Sequence, residues 1–535
     1  MPSSEYLDPT RQSSIGHCTF LAKHFPEWQG STDCLTFRPF SHRVDQQYQN
    51  PPDWGFFGEM FMEQRKTKEI KRIVGIEPGS PGLHIFSKFR LPRLGLPLLG
   101  KILTLEGYEV RIYCQDVSRI DWDDVWRADL VLISSITSTA PEAYKIAEDL
   151  RNRDIPVVLG GSHVTFKPEE ALEFADYVVR GEGEQTIVEL VRWLRDGDHS
   201  NLSDIKGLSF RMDGKFHHNL SRPLLQDLDS LPYPDLSLIQ GFDKTGVVPM
   251  ITSRGCPFDC TFCSVTKMFG RRFRFCSGTK VIDEIENLRQ EFPGKPFFFY
   301  DDNFTASPHR TRLLLREILR RRIPLQWAAQ TRADVAKDEG LIALMKQAGC
   351  HRLFIGLEST NPETLKAYKK NQTVEEIEEC LEVLHKHDIS VHGMFVLGGD
   401  DDDLATISST VRFALRKKIG TVQFIILTPL PGTDFYREMV SQGRLINEEW
   451  SEYDGHHVKF IPRKISAWRL QAATMPGAMV RFYSLWQCLR LLLKGERSFL
   501  ARIYGRWYLW IWRRHNHRFL GSLRRSSRSK TSRTL

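Results

Sequence analysis

The chain has 535 residues, 41% of them hydrophobic and 26% charged, which supports several packed cores and excludes global disorder. No run of about 18 apolar residues occurs, and MPSSEYLDPTRQSS opens the chain without a basic segment leading into an apolar one, so neither a membrane span nor a secretory leader is expected. The net charge of +8 belongs to one end: eleven Lys and Arg and no acid follow Glu496, and removing those eleven leaves −3 on residues 1–496, which argues against a nucleic-acid surface over the body.

In chain order, residues 1–70 show no clear period and read as an irregular extension. From Lys71 short apolar runs alternate with helical patterns. Strands are expected at Ile73–Ile76, Tyr108–Tyr113, Asp129–Ser134, Pro156–Leu159 and Tyr177–Val179, with helices at Leu94–Leu105, Ala140–Arg151, Pro168–Phe174 and Glu184–Leu194. That alternation over 71–200 predicts an α/β, doubly wound, Rossmann-like parallel sheet. Residues 201–246 read as a linker holding a hairpin and the stretch Leu231-Pro-Tyr-Pro-Asp235. A second series spans 247–435, with strands near 247–253, 296–300, 325–331, 352–357, 390–397 and 421–428 and five helices between them. Six such units predict a partial (βα)6 TIM-like barrel, with its site at the carboxyl ends of the strands. Residues 436–512 read as mostly helical, and the basic residues 513–535 as a disordered tail.

The chemistry concentrates in Thr252-Ser-Arg-Gly-Cys256-Pro-Phe-Asp-Cys260-Thr-Phe-Cys263. Thiolates are soft ligands for zinc or iron–sulfur clusters. A four-iron cluster ordinarily takes four cysteines, so three in one loop leave one iron open to a substrate or cofactor. The bland alternatives are a zinc site or an electron-transfer cluster completed from elsewhere. Zinc motifs generally come as two close Cys pairs, and no second pair exists here. Cys276, Cys350 and Cys380 are scattered, which speaks against an auxiliary cluster. Asp400–Asp403 offers four carboxylates in a row, and such a run more often caps a helix, here one starting near 403, than binds a cation.

The C-x3-C-x2-C spacing, with Phe262 before the last Cys, resembles the radical S-adenosylmethionine (radical SAM) superfamily signature, and the resemblance spans about residues 247–430. It implies a [4Fe-4S] cluster on Cys256, Cys260 and Cys263, with SAM chelating the open iron and cleaved to a 5′-deoxyadenosyl radical. It also implies SAM contacts at strand ends: Phe262 near the adenine, Tyr300 and Asn303 after the second strand, Arg332 toward a carboxylate, and Glu358 toward the SAM amine or ribose. The Gly-Gly-Glu element frequent in the superfamily is not evident after the second strand. Residues 71–200 resemble the cobalamin-binding domain that precedes many such barrels, on the pieces Ser134-Ser-Ile-Thr137, Gly160-Gly-Ser-His163-Val-Thr165 and Arg180-Gly-Glu-Gly-Glu184. Ser135, Thr137, Gly160, Gly161, His163, Thr165, Gly181 and Glu182 are the cobalamin contacts this implies, with His163 toward the nucleotide tail. The D-x-H-x-x-G motif of other cobalamin proteins is missing. Glu77-Pro-Gly-Ser-Pro-Gly-Leu-His84 follows the first strand instead.

The resemblance implies a cobalamin-dependent radical SAM enzyme of the methyltransferase-rich class acting on an unactivated carbon. Radical cyclisation, rearrangement or oxidation is the alternative chemistry, and a non-catalytic cofactor-binding sensor the alternative class. A small-molecule or lipid-like substrate is expected, with an external electron donor such as flavodoxin or ferredoxin. The stretch Arg481–Trp512 mixes Trp486, Trp507, Trp510 and Trp512 with leucines and arginines, a pattern able to lie on an anionic membrane. The expected location is cytoplasmic, peripheral to the inner face of the membrane. Nucleic-acid binding is disfavoured, because no stacking platform accompanies the basic tail.

Overall fold

The computed structural model describes residues 69–80, 90–196, 201–493 and 498–531. The extension at 1–68 and His84 lie outside the described residues. Among the described residues the chain builds two large sheets whose strands end toward one another.

The first sheet comprises β1 (Arg72–Glu77), β2 (Glu109–Cys114), β3 (Leu130–Ser134), β4 (Val157–Gly160), β5 (Tyr177–Val179), β6 (Leu208–Met212) and β7 (Lys215–His218), in the order β2-β1-β3-β4-β5-β6-β7. β1 to β5 are parallel. Their apolar residues are buried on both faces, as covering helices require. α1 (Gly95–Leu105), α2 (Ala140–Arg151) and α3 (Glu184–Asp196) supply that cover. The strand order reverses between β1 and β3, so the crevice of a doubly wound sheet falls beyond Glu77 and Ser134. The hairpin β6–β7 lies in the stretch expected as a linker, yet it pairs antiparallel onto β5. It covers an edge that would otherwise stay open.

The second sheet runs β8 (Val248–Met250), β11 (Phe297–Phe299), β12 (Trp327–Arg332), β13 (Cys350–Glu358), β14 (Ser390–Leu397) and β15 (Thr421–Ile426), all parallel and in chain order. α4 (Gly278–Glu291), α5 (Pro308–Arg320), α6 (Glu339–Gln347), α7 (Val374–Lys386) and α8 (Leu404–Arg416) alternate with the strands. This is the six-unit partial barrel. A small antiparallel ribbon, β9 (Ser253–Arg254) with β10 (Arg274–Phe275), stands at its mouth.

The acidic run has structural work. Asp403 caps α8 through the Thr406 amide, Asp402 accepts from the amides of Gly398 and Gly399, and Asp400 pairs with Arg444. The C-terminal region forms α9 (Leu485–Leu493), α10 (Ser498–His515) and α11 (His517–Thr531). The basic stretch expected as a disordered tail is therefore helical as far as Thr531. Tyr483, just before α9, exchanges hydrogen bonds with the amide and carbonyl of Val422, blunting the edge strand β15.

Candidate active site

A cavity of about 1020 Å³ lies between the carboxyl ends of the two sheets. On one wall stand Ser135, Thr137, Gly160, Gly161, Gly181 and Glu182. On the other stand Phe262, Tyr300 and Asp302, and the cavity continues past Phe298, Phe354, Met394 and Gln423 of the barrel strands.

The cysteine loop is fixed by backbone geometry. Gly255 adopts φ +83°, and a Cβ there would stand 2.6 Å from the Arg272 carbonyl, so only glycine lets the loop leave β9 against that ribbon. The Cys256 amide then donates to Gly270, Thr261 to the Tyr368 carbonyl, and Cys263 to Cys260. All three thiols are free and only partly covered. Burial raises each pKa, that of Cys263 to about 12. As bare thiols they stay protonated at neutral pH, and binding soft metal centres is what would release their protons. No three His, Cys, Asp or Glu side chains among the described residues converge as ligands of a single metal ion. The donor set, three soft thiols in one loop at this spacing, fits an iron–sulfur cluster better than tetrahedral zinc.

Charged groups surround this loop. Glu358, at the end of β13, adopts φ +58° and its carboxylate accepts from Lys370 Nζ at 2.6 Å, both side chains buried. Arg332 at the end of β12 lies over the Phe258 ring at 3.6 Å, donates to the Lys370 carbonyl at 2.5 Å and pairs with Asp334. Lys370, Glu358 and Arg332 all act electrostatically on Cys260. Phe262 meets Tyr368 edge-on at 5.1 Å. Asn303 is buried, its Oδ1 accepting from the Thr305 and Thr331 hydroxyls. The cysteines, Phe262, Arg332 and Glu358 thus share one neighbourhood. Tyr300, its phenol pushed up to about 12 by burial, belongs to the cavity wall.

The opposite wall is mostly backbone. Gly161 adopts φ +102°, and a Cβ there would stand 2.3 Å from the Ser135 carbonyl. Beside Gly181, at φ +72°, a Cβ would meet nothing within 4 Å. Ser135 Oγ is buried against the cavity with no hydrogen-bond partner among the described residues. A smooth cradle with one unanswered hydroxyl suits a large cofactor that brings its own amides. Three residues expected as contacts serve the protein itself. Thr165 Oγ1 donates to the Gly161 carbonyl and accepts from the Gly181 amide, tying the two glycine loops together. The His163 side chain is fully covered, with Nε2 3.4 Å from Glu170 and the ring edge-on to Trp450, and it does not line the cavity.

Glu182 touches the cavity, but both its oxygens are occupied. Oε1 accepts from Arg254 at 3.0 Å and Arg274 at 2.8 Å, and Oε2 from Arg274 at 3.0 Å and the Leu225 amide at 2.8 Å. Arg254 also reaches Glu184 at 2.5 Å. Burial pushes the Glu182 carboxyl up, and the two arginines outweigh it and hold the group below its ordinary value. Arg254 and Arg274 face each other across the ribbon β9–β10, a like-charge pair that Glu182 and Glu184 neutralise. This buried network joins the glycine loop of the first sheet to the strand that enters the cysteine loop.

Sequence reasoning gave no role to Lys370, to the Arg254 and Arg274 pair or to Asp302, although Asp302 stands in the Asp301-Asp302-Asn303 run that marks the end of the second barrel strand. Asp302 opens on the cavity with no hydrogen-bond or ion-pair partner among the described residues, and burial, reinforced by Asp301, pushes its carboxyl up to about 7. Arg254 stands two residues before Cys256, which was a signal. Nothing in the spacing marks Lys370 or Arg274.

Two family models match the chain: the radical SAM superfamily over residues 250–414 and the B12 binding domain over residues 85–191. An uncharacterized methyltransferase of Pyrococcus horikoshii is 33% identical over 399 residues, covering 72% of this chain and 83% of that one. The bacteriochlorophyllide d C-12(1)-methyltransferase of Chlorobaculum tepidum is 28% identical over 72% of this chain and 78% of its own. The anaerobic magnesium-protoporphyrin IX monomethyl ester cyclase of Cereibacter sphaeroides is 31% identical over 61% of this chain and 55% of its own. Among solved structures, the cobalamin-dependent radical enzyme OxsB superposes with a TM-score of 0.65 at 17% identity, covering 82% of this chain and 70% of that one. The methyltransferase TsrM of Kitasatospora setae does so with 0.58 at 20%, covering 70% and 75%.

The chain belongs to the radical SAM enzymes that carry a cobalamin-binding domain. Its cofactors are a [4Fe-4S] cluster, SAM and cobalamin.

Proposed function

We propose that the protein transfers a methyl group to an unactivated carbon of a predominantly apolar small molecule. The observation that carries this reading is the shared cavity, which has the glycine cradle on one wall and the neighbourhood of the cysteine loop on the other. When bound, the cluster and SAM supply a radical able to remove hydrogen from carbon, and cobalamin supplies the methyl group. Cys256, Cys260 and Cys263 hold the cluster. Arg332, Glu358 and Lys370 present fixed charges to the amino-acid end of SAM, with Phe262 beside the adenine and Tyr300 and Asn303 at the strand end. Ser135, Thr137, Gly160, Gly161 and Gly181 receive cobalamin. Glu182, Thr165 and His163 position those loops. The apolar wall of Phe298, Phe354 and Met394 seats substrate and excludes water from the radical step. The electron comes from an external donor such as flavodoxin or ferredoxin, and the C-terminal helices rest on the inner face of the membrane.

The 31% identity to a protein named as a cyclase favours radical cyclisation or oxidation as the second reading. Anaerobic reconstitution with iron, sulfide and cobalamin, followed by incubation of an apolar cell extract with methyl-deuterated SAM, separates the two. A product bearing the labelled methyl group, formed with 5′-deoxyadenosine, is expected. 5′-Deoxyadenosine without methyl gain supports the second reading. No SAM cleavage by protein with a full cluster overturns both.

A further inference from the structure

The cavity runs beyond the reacting groups to α10. Ala501, Tyr504, Gly505 and Tyr508 line it, spaced i, i+3, i+4 and i+7, one stripe of the helix. The opposite stripe of α10 leaves Ile503, Trp507 and Trp510 exposed, each at about half of its full area. α9 packs against α10 and exposes a stripe of its own: Leu485, Trp486, Leu489, Leu492 and Leu493, with Trp486 at 69% and Leu493 at 78% exposure. Eight large apolar side chains on one helical pair greatly exceed the scattered exposure of an ordinary surface.

Charge identifies what covers them. From Arg481 to Leu535 the sequence has fourteen Lys and Arg and one acid, Glu496. A second cleft, of about 560 Å³, is walled by Arg506, Arg513, Arg514 and His517 beside Trp510. Arg514 stacks on Trp510 at 4.7 Å, and none of the three arginines has an acidic partner among the described residues. Exposed tryptophans flanked by unpaired arginines match an anionic lipid leaflet, with the rings at headgroup depth and the guanidinium groups on phosphates. No helix among the described residues is long and apolar enough to cross a membrane, so the pair would lie in the interface.

We propose that α10 is a shared wall between an anionic membrane leaflet and the catalytic cavity, and that the substrate is a membrane-resident amphiphile taken up past this helix. One helix, about 10 Å thick, separates the two surfaces. A substrate drawn from the bilayer keeps its apolar body out of water throughout, which accounts for the apolar lining on the barrel side and for the arginine cleft that steadies a headgroup.

This proposal rests on the enzymatic reading above, and its test needs no turnover. The reconstituted full chain is mixed with vesicles of phosphatidylcholine, with or without about 30% phosphatidylglycerol, each carrying oleate at a trace too small to charge the neutral vesicles. Vesicle binding is read by sedimentation, and oleate uptake by mass spectrometry after recovery of the chain in high salt. Binding and uptake are expected only with the anionic vesicles. The triple variant Trp486→Ser, Trp507→Ser, Trp510→Ser, confined to exposed positions, is expected to bind about tenfold more weakly. Ala501→Trp, which fills the inner stripe, is expected to bind vesicles as the native chain does and to take up about tenfold less oleate. The proposal is overturned by equal binding of native and triple-variant protein, by undiminished uptake in Ala501→Trp, or by preference for a polyuridine oligonucleotide over the vesicles. SAM cleavage is measured separately, so loss of docking leaves the reaction assay standing, and a failed reaction leaves the docking result intact.

Discussion

Two loops meet at the cavity and are built on opposite plans. The cysteine loop offers reactive side chains that the protein leaves free: the thiols of Cys256, Cys260 and Cys263 make no disulfide, and of the charges that act on them Arg332, Lys370 and Glu358 are secured by one another or by backbone, while Asp302 faces the cavity. The glycine loops offer almost no side chains, and the polar ones they carry, on Thr165, His163 and Glu182, are consumed in holding the loops themselves. One site is recognised by what it presents, and the other by what it withholds. A small cluster bonds to a few defined atoms, whereas a macrocycle needs area and close backbone approach.

The sharpest way to break that comparison is at the cysteines. Cys260→Ala is expected to abolish cluster assembly and SAM cleavage while the far-UV circular dichroism stays unchanged. Iron and sulfide content and 5′-deoxyadenosine release after anaerobic reconstitution measure it. Cleavage surviving in the variant means the thiols are not the cluster's ligands.

Next in size is the latch between the plans. Glu182→Gln leaves Arg254 and Arg274 buried without their shared carboxylate, and removing one partner of such a network typically costs about 3–5 kcal/mol. The urea midpoint of the apo chain reports it. Glu184→Gln, which removes one contact with Arg254, is expected to cost less. If Glu182 instead held cobalamin, the larger loss would fall on cofactor affinity, read by absorbance titration of folded protein.

Legibility in the sequence follows the same division. The two sheets could be anticipated because runs such as Ile73–Ile76 and Phe297–Phe299 are apolar on both faces, and helical spacing separates them. The cluster donors were legible because three cysteines in eight residues have few structural explanations. The cradle was legible only as glycines, and which of its polar residues remain available was not. That depends on partners far along the chain: Arg274 lies 92 residues beyond Glu182, and Trp450 packs on His163 from beyond the barrel. Nor did the hairpin β6–β7 announce that it would join the first sheet, because edge pairing is decided by the open strand it finds.

A smaller effect sharpens the contrast within the cradle. Gly161→Ala forces a Cβ against the Ser135 carbonyl in a backbone conformation that L residues avoid, and is expected to cost about 3 kcal/mol and most of the cobalamin affinity. Gly181→Ala meets open space and pays only for its positive φ, about 1 kcal/mol. A loss of affinity in Gly181→Ala well beyond its loss of stability places the cofactor in that space. Unchanged affinity places it elsewhere.

The last contrast is electrostatic. In the first half buried acids are answered by arginines: Asp124 by Arg72 and Arg111, and Glu182 by Arg254 and Arg274. In the barrel half Glu284, on α4, is buried without an ion-pair partner among the described residues. Burial pushes its carboxyl up to about 8 from the ordinary 4.5, with Lys280 opposing and Asp301 adding to the shift. A raised carboxyl pKa means the folded state holds the proton more tightly than the unfolded chain does. The contribution of Glu284 is therefore greatest below pH 4.5 and is lost as pH rises toward 8, at about 1.4 kcal/mol per unit. Glu284→Gln is expected to flatten the fall in urea midpoint between pH 6 and pH 8 and to leave the chain more stable than the native protein at the upper end. An unchanged slope would show that Glu284 is ionised in the folded protein, and the two halves would then manage buried charge alike.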